Sequence, residues 1–238
     1  MQEFFTYDSL LRFFEHLKSI APLVQFYEAG SKDGILLRHD IDFDITPAYR
    51  LACLEHDVNV KSTFFVMPTS EFYNPLSARN ATMLREMLRM GFEVGLHFDP
   101  VLVYSYESPA ALEARFKAEL RVLKYAIAPY EVWSVSLHQP GNGGTFPLFK
   151  GFTNAYDPKF FSADTYLSDS CRIFHGKDPY AFVEQARNRT VQLLLHPVYY
   201  SEHGRDYKML LNHYITNLKQ NSREFFRGCV QMSEEVWE

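Results

Sequence analysis

Two aspartates that lie two residues apart follow a short apolar run near the start of the chain. The run at 35–37 predicts a buried strand, because short continuous apolar segments beside a glycine favour strands over helices, and Asp40 and Asp42 follow it. On an extended chain these two carboxylates point to the same side. Two interpretations are open from this segment alone. The pair holds a metal ion and activates a water, or the segment is a polar loop that caps the next helix.

Four further predicted strands also end in residues of catalytic or ligating types. These residues are His97 with Asp99, His138, Asp169 and His196. The C-terminal ends of parallel strands share one face of an α/β fold, and active sites lie on that face. The sequence therefore predicts one joint site, although any single histidine of this kind is more often part of the core or the surface. Histidine and aspartate without cysteine favour zinc or a similar divalent ion.

Strands and helices alternate along the chain, which predicts a parallel sheet with crossover helices. The predicted strands are 35–39, 60–67, 92–97, 132–137, 166–167 and 191–195. The predicted helices are 8–20, 46–57, 77–90, 109–126, 178–189 and a last one from about 206. Asp8 or Ser9 is the predicted N-cap of the first helix, and Thr46 is that of the second. The segment 139–165 is predicted to be mainly loop. About six strand–helix units are too few for an eight-unit barrel. An incomplete or distorted barrel, or an open doubly wound sheet, fits this count.

Composition excludes several classes of protein. The 238 residues are 47% apolar and 16% aromatic, which is enough for a sizeable core. A net charge of −5 gives no indication of a positively charged surface that binds nucleic acid. No apolar run approaches the roughly 20 residues of a membrane span. The N-terminus lacks a secretory pattern, and three distant cysteines form no CxxC motif. We therefore expect a cytoplasmic protein.

Six short motifs occur in the order found in a known family of enzymes. They are RHDID at 38–42, STFF at 62–65, GFEVGLH at 91–97, SLHQP at 136–140, YLSDS at 166–170 and LLLHP at 193–197. Together they resemble the motifs of polysaccharide deacetylases, the NodB-homology enzymes of carbohydrate esterase family 4, over roughly residues 35–200. The resemblance is to a divergent branch with an Arg-His-Asp-x-Asp first motif. It implies an α/β fold, a distorted or incomplete (β/α) barrel of about seven strands. Residues 1–238 would form a single NodB-like domain, with 1–30 and 206–238 as helical extensions.

The resemblance also implies roles for five residues. Asp40 corresponds to the general base, and Asp42 and His97 correspond to metal ligands. His196 corresponds to the general acid. Asp169 falls near the aspartate that orients that acid in the family.

The chain departs from the family pattern at two positions. Val101 stands where the family has its second ligating histidine, and His138 stands where the family usually has an arginine that holds the base. Two interpretations are open. In the first, His138 is the third metal ligand, with Asp99 as the alternative. In the second, the metal site is degraded and the chain is a binding protein without catalysis.

The activity implied by the resemblance is hydrolysis of a non-peptide C–N bond with the help of a divalent metal, zinc being expected. The substrate would be an N-acetylated or N-formylated sugar or polysaccharide precursor, nucleotide- or lipid-linked, in surface polysaccharide biosynthesis. An amidase of small-molecule amides on the same fold is a further alternative. The terminal helices would pack on the barrel or build a homo-oligomer.

Overall fold

The computed structural model describes residues 2–100, 108–139 and 146–229. The strands in these ranges are β1 (Leu23–Val24), β2 (Ile35–Ile41), β3 (Thr63–Val66), β4 (Glu93–Phe98), β5 (Ser134–Leu137), β6 (Thr153–Asn154), β7 (Tyr166–Ser168) and β8 (Val191–Leu194). The α-helices are α1 (Tyr7–Ile20), α2 (Ile45–Asp57), α3 (Ala78–Arg89), α4 (Pro109–Ile127), α5 (Pro179–Val183) and α6 (Tyr207–Cys229). None of these helices is long and apolar enough to cross a membrane.

The strands form one parallel sheet in the order β6-β5-β4-β3-β2-β8-β7, and β1 pairs separately with β2. Within the described ranges β6 and β7 do not pair with each other, so the barrel is incomplete. The segment between them crosses the gap, and the Gln192 amide of β8 donates to the carbonyls of Ala155 and Phe160 there. The predicted incomplete barrel of about seven strands is confirmed.

Side chains alternate along β2 between the two sides of the sheet. Ile35 and Leu37 belong to one hydrophobic cluster and Leu36 to the other. Because the side-chain period of a strand is two, Arg38 and Asp40 continue the side of Leu36, whereas His39 continues the side of Ile35. The strand therefore directs two consecutive motif residues to opposite sides of the sheet.

Several boundaries differ from the sequence-based expectation. The short strands β1 and β6 were not predicted, because two residues are too few to show an alternation of apolar and polar side chains. The helix predicted at 178–189 ends at Val183 and continues as a 3₁₀-helix over Glu184–Arg187.

Two predicted helix caps were also wrong. Thr6, and not Asp8 or Ser9, caps α1 by accepting from the backbone N–H of Ser9. Asp44, and not Thr46, caps α2. In both helices the side chain that reaches an unpaired N–H of the first turn lies two residues before the predicted position.

Candidate metal centre and active site

Three of the sequence-predicted residues bring donor atoms together at the C-terminal ends of neighbouring strands. Asp42 follows β2, His97 lies in β4 and His138 follows β5. Asp42 Oδ1 lies 3.2 Å from His97 Nε2 and 3.3 Å from His138 Nδ1. The two imidazole nitrogens are 3.2 Å apart, and their rings meet edge to face. Among the described residues, these form a group of His and Asp side chains with the geometry to hold a metal ion.

The hydrogen bonds around this cluster turn its donor atoms toward one another. His97 Nδ1 is 2.7 Å from Ser136 Oγ, which satisfies that nitrogen and leaves Nε2 facing Asp42. The backbone N–H of His138 donates to the carbonyl of Phe98, which fixes the start of its loop against β4. A ligating histidine usually has its second nitrogen held in this way.

One buried atom in the cluster lacks a conventional partner. In the part of the chain that the structure describes, Asp42 Oδ1 has no hydrogen-bond donor in acceptable geometry, although two ring nitrogens are close. A buried carboxylate oxygen without a hydrogen bond is costly. A cation would satisfy this oxygen and both imidazole lone pairs at once, so the donor set fits a divalent metal.

Charge around Asp42 favours its ionised form. Burial alone would raise the pKa of Asp42, but His138, His97 and His196 outweigh burial and hold it well below its usual value. Burial alone would lower the pKa of His138, but the adjacent Asp42 carboxylate raises it. The site therefore keeps a negative charge where a cation would bind.

Asp40 lies next to the cluster and forms an ion pair with a buried arginine from its own strand. Arg38 Nε and Nη2 donate to the two carboxylate oxygens of Asp40 at 2.8 and 2.7 Å. The remaining end of the guanidinium donates to Gln192 Oε1 at 3.1 Å, and its plane lies against Phe65 and Tyr156. This bidentate ion pair fixes the orientation of the Asp40 carboxylate.

The Arg38 ion pair also sets the charge of Asp40. Burial alone would raise the pKa of Asp40, but Arg38 and then His97 lower it below its usual value. Asp40 Oδ2 lies 3.7 Å from His97 Nε2, so the ionised carboxylate borders the metal cluster. Asp40 is thus held as an anion beside the candidate metal centre.

His196 follows β8 and is held by Asp169. Asp169 Oδ1 is 2.6 Å from His196 Nδ1, and both carboxylate oxygens accept from the His196 backbone N–H at 3.0 and 3.1 Å. Tyr200 donates its hydroxyl to Asp169 Oδ2 at 3.1 Å. Burial alone would lower the pKa of His196, but Asp169 raises it to about 9. His196 Nε2 then points to Asp42 Oδ2 at 3.8 Å.

The structure therefore brings all six predicted site residues together at one end of the barrel. Asp99, the alternative third ligand, is not part of the group of three ligating side chains. Val101 lies outside the described residues. The supporting roles of Ser136 and Tyr200 were not predicted, because a serine or a tyrosine does not by itself indicate such a role. The role of Arg38 as the partner of Asp40 was not predicted either, although a position two residues before Asp40 places both side chains on one side of the strand.

Three aromatic side chains form a cluster that includes Phe43, the residue after Asp42. Phe43, Phe72 and Tyr214 contact one another, with ring centroids 5.3 to 6.0 Å apart. The Tyr214 hydroxyl of α6 donates to the carbonyl of Phe43. These residues line a groove of about 720 Å³ between α6 and the segment before α3. The predicted C-terminal helix therefore forms one wall of this groove.

No protein-family profile matches the chain, and no curated protein matches it. Solved structures do match. The family 4 carbohydrate esterase domain of a multidomain xylanase from the hindgut metagenome of Trinervitermes trinervoides is 15% identical, with a TM-score of 0.47 over 79% of this chain and 83% of that chain. A chitin deacetylase from Colletotrichum lindemuthianum is 17% identical, with a TM-score of 0.47 over 78% and 81%.

A third matched structure is a family 4 pseudoenzyme from Bacillus anthracis. It is 16% identical, with a TM-score of 0.46 over 80% of this chain and 62% of that chain. These three proteins come from the family whose motif order the sequence resembles. At 15 to 17% identity, the similarity to these proteins is one of fold.

Proposed function

We propose that this protein is a metal-dependent hydrolase that removes an N-acetyl or N-formyl group from a sugar or polysaccharide precursor. The observation that carries the proposal is one arrangement of side chains. A carboxylate held by arginine, Asp40, and a histidine held by aspartate, His196, each lie within 3.8 Å of a member of a cluster of two histidines and one aspartate. This is the set that metal-assisted amide hydrolysis needs: a cation site, a base and an acid.

Asp42, His97 and His138 would hold the cation. Two nitrogens and one carboxylate oxygen match the three-ligand sets of catalytic zinc sites, which leave a further position open. When bound, the ion would polarise the acyl oxygen and lower the pKa of a water. Zinc is the ion that we expect from this donor set.

Asp40 would accept the proton of the attacking water. Its two bonds to Arg38 hold the carboxylate in one orientation, and its pKa, lowered chiefly by Arg38 against burial, keeps it unprotonated at neutral pH. A carboxylate fixed in this way is ready to take a proton without reorganisation.

His196 would protonate the departing amine. Asp169 raises the pKa of His196 to about 9 against the effect of burial, so the ring is an imidazolium at neutral pH. Asp169 engages Nδ1, which leaves Nε2 to face the site. The base Asp40 and the acid His196 thus both lie beside the cluster, where one can accept a proton and the other can donate one.

The sugar would lie at the mouth of the site. The groove lined by Phe43, Phe72 and Tyr214 begins at the residue that follows Asp42 in the chain, and aromatic faces suit the apolar faces of sugar rings. We propose a nucleotide- or lipid-linked precursor of a surface polysaccharide as the substrate. The cytoplasmic location and the single-domain organisation stay predictions.

The test combines metal content with product release. Chelated protein is reloaded with Zn²⁺, Co²⁺ or no ion and incubated with N-acetylated and N-formylated sugars, free and nucleotide-linked, and with small ureides and amides. Free amine, acetate and formate are quantified. We expect amine release from a sugar only with metal, and loss of release in Asp40→Asn and His196→Gln.

Each alternative gives a different result. Release from ureides but not from sugars identifies a small-molecule amidase. Absence of stoichiometric metal, together with sugar binding that Asp42→Ala leaves unchanged, identifies a binding protein. Arg12→Met is the control variant, because Arg12 is exposed and its hydrogen bonds within the described residues go to Asp8 and Ser9 of the same helix.

A further inference from the structure

His39 lies between Arg38 and Asp40 in sequence but on the other side of the sheet. It is completely buried, and its Nδ1 lies 2.9 Å from the carbonyl oxygen of Leu195. Its Nε2 lies 2.6 Å from Glu55 Oε1 of helix α2, another completely buried group. None of these contacts involves the candidate metal ligands or the proposed base.

The proton on His39 Nδ1 can be assigned from these partners. The Leu195 carbonyl can only accept, so Nδ1 must carry the proton and donate. Ser62 donates its hydroxyl to Glu55 Oε2 at 2.5 Å, which leaves Oε1 for the imidazole. Glu55 therefore holds the His39 ring by its far nitrogen and directs the near nitrogen at Leu195.

The carbonyl of Leu195 and the N–H of His196 belong to the same peptide unit. His39 holds the oxygen end of this unit, and the Asp169 carboxylate holds the nitrogen end at 3.0 and 3.1 Å. In addition, the N–H of Leu195 donates to the Arg38 carbonyl at 2.9 Å. A planar peptide fixed at both ends cannot rotate, so the direction in which His196 leaves the backbone is fixed as well.

We propose that His39, oriented by Glu55, is a positioning residue for the general acid His196. It acts through the oxygen end of the Leu195–His196 peptide, whereas Asp169 acts through the nitrogen end and on the His196 ring. The kinetic consequence rests on the proposed function, but the structural consequence does not. The same strand, β2, would thus position the base through Arg38 and the acid through His39.

Two substitutions of His39 separate its two bonds. In His39→Asn the amide nitrogen occupies the place of Nδ1, so the bond to Leu195 is kept and the bond to Glu55 is lost. In His39→Gln the amide nitrogen occupies the place of Nε2, so the reverse holds. We expect His39→Gln to lower kcat by about 10–100-fold, as loss of a supporting hydrogen bond around a site does, and His39→Asn to lower kcat less. KM and metal affinity should stay unchanged in both.

A measurement without substrate tests the structural part. The Nδ1 proton of His196, in its 2.6 Å contact with Asp169, is followed by NMR in chelated protein labelled with ¹⁵N-histidine. We expect its resonance to move in His39→Gln and to stay close to wild type in Ser62→Ala. Ser62→Ala is the matched control, because Ser62 is completely buried in the same network but lies beyond Glu55.

Each result of these experiments either supports or overturns the positioning role of His39. An unmoved His196 resonance in His39→Gln, or equal losses of kcat in the Asn and Gln variants, overturns the positioning role. If both variants fail to fold, the wild-type spectrum decides: a protonated His39 Nδ1 supports the role and an unprotonated one overturns it. A moved resonance in a protein that releases no amine supports the positioning of His196 and rejects the proposed function alone.

Discussion

Arg38 donates two hydrogen bonds to the carboxylate of Asp40 from a position two residues earlier on the same strand, at 2.8 and 2.7 Å. Both side chains are buried. In the family that the sequence resembles, the arginine that holds the base belongs to a later motif, and here His138 stands at that place. In this chain Arg38 holds Asp40 from within β2, and His138 Nδ1 lies 3.3 Å from Asp42 Oδ1 and 3.2 Å from His97 Nε2.

Removal of Arg38 should destabilise the protein strongly. Arg38→Met leaves the buried Asp40 without its main counter-ion, and breaking a buried ion pair costs about 3–5 kcal/mol. Urea unfolding measures this change in the free energy of unfolding. The double variant Arg38→Met/Asp40→Asn should recover part of the loss, since no buried charge is left unpaired. Arg12→Met, which breaks an exposed ion pair with Asp8, should cost less than about 1 kcal/mol.

The third metal ligand can be identified by substitution. We expect His138→Ala and His97→Ala to weaken Zn²⁺ binding in calorimetry by at least tenfold, because each removes a ligand, and Asp99→Ala to leave it near wild type. Wild-type protein should also unfold at a higher temperature with Zn²⁺ than after chelation, because a ligand that binds only the folded state stabilises it. If Asp99→Ala abolishes binding while His138→Ala does not, the ligand assignment is wrong.

The Asp169–His196 pair should set the alkaline limit of activity. Burial alone would lower the pKa of His196, but Asp169 raises it to about 9. The acid is protonated below its pKa, so activity falls as pH rises through that value. Asp169→Asn removes the raising charge, and the alkaline limb of kcat against pH should therefore move to lower pH.

Tyr200→Phe is the control for the pH profile. It removes only the hydroxyl that donates to Asp169 Oδ2, so the Asp169 charge remains and the alkaline limb should not move to lower pH. Profiles that are identical in Asp169→Asn and wild type would show that His196 is not the group that titrates.

Gly95, two residues before His97 in β4, should not tolerate a side chain. A Cβ at this position would lie 2.5 Å from Phe65 Cε1 and 2.6 Å from Ser134 Oγ. Overpacking of this kind costs about 1–3 kcal/mol, and the displaced strand should also weaken metal binding at His97. Thermal unfolding and calorimetry of Gly95→Ala measure both effects. Gly228→Ala is the control, since nothing lies within 4 Å of its Cβ position, and it should cause no loss.

Much of the fold could be predicted from local patterns. The apolar runs before Asp40, His97 and His196 mark strands because buried parallel strands are continuously apolar. Strand–helix alternation then predicted the parallel sheet and placed the polar strand ends on one face. Short strands such as Leu23–Val24 were not predictable, because their existence depends on a partner distant in sequence.

The sequence by itself determined which residues reach the site. Position at a strand end and alternation along the strand place Asp40, Asp42, His97, His138, Asp169 and His196 at one end of the barrel.

Only the tertiary structure decided how they are paired. The bond from His39 to Leu195 spans 156 residues of chain, and the contact between His97 and His138 spans 41 residues and depends on the pairing of β4 with β5. Such pairings depend on the register between strands, which the packing of the whole barrel sets and no local pattern records.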